Sequence, residues 1–146
     1  MQIVSFNASH GVQVNNTNCS ECKYVQQCVE KYGIQSPPTC TRNAARAIAL
    51  LRLTVIGIQE AIPSRLKTFA SACERDGHDY DYIYSKSKSE HSAIIYDVSE
   101  LGSAEKLKIP NFHVGEEGRA AVAAYFADVE LLALNVHFGL TEMPAK

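Results

Sequence analysis

Apolar and polar positions follow two different periods along this chain, and the dominant period changes near its middle. Residues 2–6 are short, β-prone and mostly apolar, which predicts a strand. A long polar stretch follows over residues 8–43, with Asn15-Asn16-Thr17-Asn18 and Ser36-Pro37-Pro38 inside it. Cys22, Val25 and Val29 fall on roughly one face there and predict a short helix between residues 19 and 32, and the paired prolines stop anything regular. Ala45, Ile48 and Ala49 then recur at helical spacing behind Thr41, a residue suited to capping.

Residues 53–59 form a continuous β-rich apolar run, the pattern of a strand buried on both faces. Leu66, Phe69, Ala70 and Cys73 return to helical spacing after Pro63, with Ser64 as the expected N-cap and Gly77 as the expected C′ glycine. Beyond this point strands dominate: residues 80–84, 92–98, 120–126 and 131–137, the last two joined through Ala127-Asp128-Val129-Glu130 as a hairpin. Tyr80, Tyr82 and Tyr84 alternate as in a half-exposed strand. Residues 102–118 read as a connection with at most one short strand. The order predicts an α/β (α+β) chain with a mixed sheet or two stacked sheets and helices outside. There is no internal repeat, and residues 1–146 read as one domain with a Cys-rich insertion at about 8–43.

Composition narrows the function classes. A chain of 146 residues with 46% hydrophobic content buries a core without disulfide staples, so disordered and low-complexity readings fall away. A net charge of -2 supplies no basic footprint for nucleic acid, so a phosphate substrate needs a local site with a metal. No secretion signal or spanning segment is present; the most apolar stretch, 44–58, is broken by Arg46 and Arg52, and the expected compartment is the cytoplasm. In that compartment the cysteines are thiols or metal ligands before they are disulfides, and the sequons at Asn7, Asn15 and Asn18 are chance.

Three predicted strands end on polar residues that their apolar bodies do not explain: Asn7, then Gln59-Glu60, then Asn135-Val136-His137. Strand tips are where a rigid scaffold holds reactive side chains. A carboxylate, a carboxamide and an imidazole suit a hard cation and a phosphate. The carboxylate binds Mg²⁺, the amide orients an oxygen, and the imidazole donates to developing charge or moves a proton.

In these residues the sequence resembles the endonuclease/exonuclease/phosphatase superfamily, whose members include deoxyribonucleases, abasic-site nucleases, inositol polyphosphate phosphatases and sphingomyelinases. The family opens on a strand ending in Asn, matched by Gln2-Ile3-Val4-Ser5-Phe6-Asn7. Its strand ending in Gln-Glu is matched by Val55-Ile56-Gly57-Ile58-Gln59-Glu60, and its Gly-x-Ala-Ile-x-Tyr strand loosely by Ser92-Ala93-Ile94-Ile95-Tyr96. A Gly-Arg hairpin leading to Asn-x-His is matched by Gly118-Arg119 through Asn135-Val136-His137.

The resemblance implies a four-layer β-sandwich with outer helices and a metal-dependent phosphoester hydrolase, nuclease-like before phosphatase. Glu60 would ligate Mg²⁺ or Mn²⁺, Asn7 would lie near the metal and the scissile phosphate, and His137 would contact the phosphate or protonate the leaving group. Nucleic acid is the expected substrate ahead of inositol phosphate or lipid. The family's later Gly-Asp-Phe-Asn and Ser-Asp-His motifs do not occur. The chain is therefore expected to hold the N-terminal half of such an enzyme, inactive alone, with an exposed half-sandwich that self-associates. The alternative is a degenerate half-domain serving as a binding or scaffold module.

Cys19, Cys22, Cys28 and Cys40 lie within about two dozen residues and can close a tetrahedral Zn²⁺ site, with free thiols, buried small hydrophobes or disulfides as the other readings. Lys86 and Lys88 read as a solvated loop ahead of phosphate contacts, and His10 as a loop histidine. Glu90 is a candidate to orient His137. Asp79 and Asp81 receive no role.

Overall fold

A computed structural model describes residues 1–8, 40–75, 77–85, 91–109, 113–114 and 119–137. Strand β1 (Ile3–Asn7) pairs in parallel with β2 (Val55–Ala61), and β2 pairs antiparallel with β4 (His91–Asp97), which pairs antiparallel with β3 (Tyr80–Tyr84). The first sheet is thus mixed, with strand order β1-β2-β4-β3. Helices α1 (Cys40–Ala49) and α2 (Pro63–Cys73) follow β1 and β2. One turn of helix, α3 (Val98–Leu101), leads to β5 (Ala104–Leu107). Two short strands, β6 (His113–Val114) and β7 (Arg119–Ala120), pair with each other. Strand β8 (Val122–Phe126) then turns through a 3₁₀ segment (Ala127–Val129) into β9 (Leu131–Asn135), and β5-β8-β9 form a second, antiparallel sheet.

The continuous apolar run has the cause expected of it. Along β2 the side chains alternate between two hydrophobic clusters. Ile56 and Ile58 join Ala45, Ile48, Leu66, Phe69 and Ala70 on the helix side, while Val55 joins Val122, Ala124 and Phe126 between the sheets. Strand β4 repeats this, with Ala93 and Ile95 toward the helices and Ile94 and Tyr96 toward the second sheet. Both central strands are therefore sandwiched, and the fold is α+β: helices, a mixed sheet, then an antiparallel sheet. Phe69 and Phe126, at 1% and 0% exposure, anchor the two clusters, each contributing about 2–3 kcal/mol of transfer free energy. No helix among the described residues is long and apolar enough to cross a membrane.

Several local expectations shift. Thr41 lies inside α1 rather than before it. Pro63 itself opens α2, with Ile62 in extended backbone at the capping position, so Ser64 is helical. A proline at the first turn lacks only an N–H that would have no partner there, and its fixed φ suits the helix. The helix ends at Cys73, short of Gly77, which instead turns the chain at φ 73° between Arg75 and His78. The connection over 102–118 holds two strands, β5 and β6, rather than one. The tyrosine strand behaves as expected, with Tyr80 buried, Tyr82 and Tyr84 half-buried, and Asp81 exposed. The expected helix near 19–32, His10, Lys86, Lys88, Glu90, Cys19, Cys22 and Cys28 lie outside the described residues.

Cys73 is a buried, unpaired thiol on the inner face of α2. Burial pushes its pKa up from 9.0 to about 11, with Arg75 opposing and Glu74 adding. The folded thiol thus keeps its proton after the unfolded one has lost it. Stability is complete below pH 9 and declines between pH 9 and about 11, by about 3 kcal/mol in all for this group. Urea unfolding of Cys73→Ala against the parent chain at pH 8 and pH 10.5 is expected to show the larger alkaline loss in the parent, the loss that remains in the variant coming from Tyr80 and Tyr96, whose hydroxyls burial also holds protonated.

Candidate active site

The three polar strand tips meet. Asn7 ends β1, Glu60 lies near the end of β2, and His137 follows β9 by two residues. The Asn7 Nδ2 donates to Glu60 Oε1 at 2.8 Å. His137 Nε2 lies 3.7 Å from the same Oε1. The Glu60 and His137 side chains are 21% and 17% exposed, so the cluster is recessed but open to solvent.

The backbone sets this up at Glu60. The β2–β4 register breaks between Ile58 and Ala61, where β2 carries one more residue than β4 opposes. Glu60 sits in this bulge at φ 53°, in the left-handed region. Bulges re-aim side chains, and a non-glycine residue held there stores about 1–2 kcal/mol of strain.

The neighbouring polar residues have a different task. Gln59 Nε2 donates to Ser5 Oγ at 2.6 Å and to Asn135 Oδ1 at 2.5 Å. Asn135 Nδ2 donates to the Ile58 carbonyl at 2.9 Å and the Ala93 carbonyl at 2.8 Å. Both amide hydrogens of Asn135 thus bind carbonyls of the first sheet, on β2 and β4, while its own strand belongs to the second. Gly57 makes room for it, since a Cβ there would lie 3.0 Å from Asn135 Cγ and Oδ1. Gln59 and Asn135, which share their motifs with the candidate chemistry, form the joint between the layers. Gly57 gave no signal as a sequence position beyond its place in an apolar run.

A second polar cluster, which the sequence reading did not single out, lies at the opposite end of β2. Asp97 is fully buried; its Oδ1 accepts from the Ser99 and Glu100 amides at 2.9 and 3.3 Å, capping α3, and its Oδ2 accepts from His78 Nδ1 at 2.6 Å. Glu100 Oε2 accepts from Thr54 Oγ1 at 2.8 Å. His78, Asp97 and Glu100 offer ligand atoms within 4.8 Å of one another. Their hydrogen bonds to the chain account for the geometry. His91, also near the tips, gives Nδ1 to the Ser85 carbonyl at 2.6 Å and packs edge-on against Tyr84.

No family model matches the sequence, and no curated protein does. Among solved structures the chain is similar to a humanized D. rerio TDP2 carrying 14 mutations, with 15% identity and a TM-score of 0.57. The match covers 96% of this chain and 48% of that one, so the chain spans about half the length of this neighbour. At this identity the likeness is one of fold: helices, a mixed sheet and an antiparallel sheet in the same α+β arrangement.

Substitutions at Asn135, Gly57 and Glu60 separate joint from cluster. Asn135→Asp sets a carboxylate against two carbonyl oxygens and is expected to cost about 3 kcal/mol or more, leaving buried groups unpaired; Gly57→Ala, which forces Asn135 aside, is expected to cost about 1–3 kcal/mol. At Glu60 the order inverts: Glu60→Gly relieves the left-handed strain and is expected to be more stable than Glu60→Ala by about 1 kcal/mol. Chemical denaturation of the variants checks both statements.

Proposed function

We propose that this chain carries the metal- and phosphate-holding cluster of a divalent-metal-dependent phosphodiesterase acting on nucleic acid. The observation that supports the reading is the convergence on one carboxylate oxygen: Asn7 at 2.8 Å and His137 at 3.7 Å from Glu60 Oε1, at the tips of strands from both sheets. The donor set fits a hard cation. Mg²⁺ and Mn²⁺ take one or two carboxylates, keep several waters and share phosphate oxygens, and the Glu60 carboxylate is recessed yet reachable. When bound, such an ion polarises the phosphoryl group and supplies an activated water.

The chain's own groups do the rest. Asn7 holds the carboxylate in one rotamer through its amide N–H. His137, on the other side of the same oxygen, hydrogen-bonds a phosphate oxygen as charge develops or delivers a proton to the leaving oxygen. The backbone bulge keeps the Glu60 side chain at the tip without rearrangement. A net charge of -2 gives no general attraction for a polyanion, so the affinity for phosphate is local. The neighbour's name, tyrosyl-DNA phosphodiesterase 2, favours nucleic acid over inositol phosphate or lipid.

One observation favours a second reading, a half-domain that binds without hydrolysing: the chain matches 48% of its neighbour's length. In that case the cluster still holds metal and phosphate, but water activation is missing.

Mn²⁺ titration followed by amide NMR tests the site. Broadening centred on Asn7, Glu60 and His137, abolished in Glu60→Gln, is the expected result. Broadening centred on His78 and Asp97 instead would refute it. With a nicked-plasmid assay in Mg²⁺, any hydrolysis is expected to fall by about 100-fold or more in Glu60→Gln and His137→Ala. Metal binding with no turnover selects the second reading.

A further inference from the structure

We propose that the groove between α1 and α2 holds the phosphodiester backbone of a nucleic-acid strand, beyond the phosphate at the candidate site. The choice of nucleic acid rests on the reading of that site; the groove itself rests on charge and shape. The net charge of -2 is unevenly spread. Residues 40–73 contain Arg42, Arg46, Arg52, Arg65 and Lys67 against a single carboxylate, Glu60. Neither helix contains an Asp or a Glu. A solvated surface normally intersperses both signs, and this chain has more acidic residues than basic ones, 16 against 14.

Helix α2 carries two stripes of the same spacing. Leu66, Phe69, Ala70 and Cys73 are buried. Ser64, Lys67, Thr68 and Ser71 stand at i, i+3, i+4 and i+7 on the opposite side. These four, with Arg46 of α1 and Ala72, line a cavity of about 560 Å³ across the two packed helices. Arg46, Ser64, Lys67 and Ser71 are exposed. Among the described residues no carboxylate pairs with Arg46 or Lys67. The next carboxylate along the path of α2 is Glu74, beyond the end of the helix.

The lining selects its occupant. Two cations and three hydroxyls are the side chains that hold phosphate oxygens, the cations by charge and the hydroxyls as short donors. A membrane surface calls for large apolar or aromatic residues that enter the lipid, and a protein partner for an aromatic or aliphatic anchor; the groove offers only Ala72. Its position suits a strand that passes the candidate site. Pro63 opens α2 three residues after Glu60, so Ser64 lies at the strand-tip end. Strand β3 runs parallel to β2, both being antiparallel to β4, so α2 crosses back along the sheet from that end. From Ser64 to Ser71 the stripe extends about 10 Å at about 1.5 Å per residue. That is room for about three successive phosphates at the duplex rise of about 3.4 Å per strand.

Fluorescence anisotropy of a labelled single-stranded oligonucleotide of mixed sequence, in EDTA, tests the groove without the metal. Arg46→Gln with Lys67→Gln is expected to weaken binding by about 10-fold. The slope of log affinity against log salt is expected to fall by about 1.4, at about 0.7 per phosphate contact. Arg46→Lys with Lys67→Arg is expected to retain both affinity and slope, with the same circular dichroism in all three proteins. Amide shifts induced by the oligonucleotide are expected to centre on Arg46, Ser64, Lys67 and Ser71. No binding by the parent chain, an affinity and slope indifferent to the glutamines, or shifts centred elsewhere would each overturn the proposal. So would capture of anionic lipid vesicles through this groove with the oligonucleotide left free. The metal site is judged separately. Absence of Mn²⁺ broadening at Glu60, with oligonucleotide binding still dependent on Arg46 and Lys67, upholds the groove and refutes the metal site alone.

Discussion

The Asn135 carboxamide is the constraint on which the geometry of this molecule rests. Two β-layers held only by Val55, Ile94, Tyr96, Val122 and Phe126 have no preferred register, because apolar burial is roughly proportional to area and indifferent to direction. A hydrogen bond is not indifferent. Asn135 reaches from β9 to the carbonyls of Ile58 and Ala93 and accepts from Gln59, which fixes β9 along the axis of β2. His137 is two residues further on, so its distance to Glu60 is set by this joint. A fully satisfied polar group in an apolar layer specifies one arrangement, whereas a half-satisfied one costs more than an apolar substitute. The contacts to Gly57 show how little slack the arrangement has.

The two ends of β2 are built on opposite principles. At one end Asp97 is fully buried with both oxygens occupied, capping α3 and holding His78. Thr54, next to it, takes the Gln2 amide on its hydroxyl and gives its own amide to the Gln2 carbonyl. At the other end the ladder breaks and Glu60 is held in a left-handed conformation. A residue in that region persists only where its surroundings over-determine it. Here they do: Gln59 is tied to Ser5 and Asn135 on one side, Asn7 reaches the carboxylate on the other, and the Ala8 amide donates to the Gln59 carbonyl.

Much of this was legible in the sequence, for reasons tied to particular residues. The run Val55-Ile56-Gly57-Ile58 announced a strand buried on both faces because only such a strand has no polar side. Leu66, Phe69, Ala70 and Cys73 gave α2 its inner face because 3.6-residue periodicity survives any tertiary context. That Asn7, Glu60 and His137 lie together followed from strand-tip patterning. What stayed hidden was long-range. Asn135 read as part of an Asn-x-His motif, and a carboxamide that serves as a joint looks the same in sequence as one that serves a phosphate. Its partner Gln59 lies 76 positions away. Gly57 and Asp97 are likewise explained only by what faces them. The misplaced caps have a local cause: Ser64 is a good cap beside a better helix opener, Pro63.

Strand β1, paired among the described residues with β2, shows how a short element is kept in place by its side chains. Five residues of parallel ladder are a weak hold, since parallel pairing is less stable per residue. The side chains supply what the backbone lacks. Gln2 is fastened to Thr54 at the start, Ser5 to Gln59 in the middle, and Asn7 to Glu60 at the end. All three of these bonds go to the stretch 54–60. The strand that delivers Asn7 is therefore clamped along its length by the strand that delivers Glu60. Those two groups are one mechanical unit, and His137 is brought to it from the other layer by Asn135. The two supports meet at Gln59, which binds Ser5 of the clamped strand and Asn135 of the joint, so the position of the imidazole and that of the carboxylate are set through one residue.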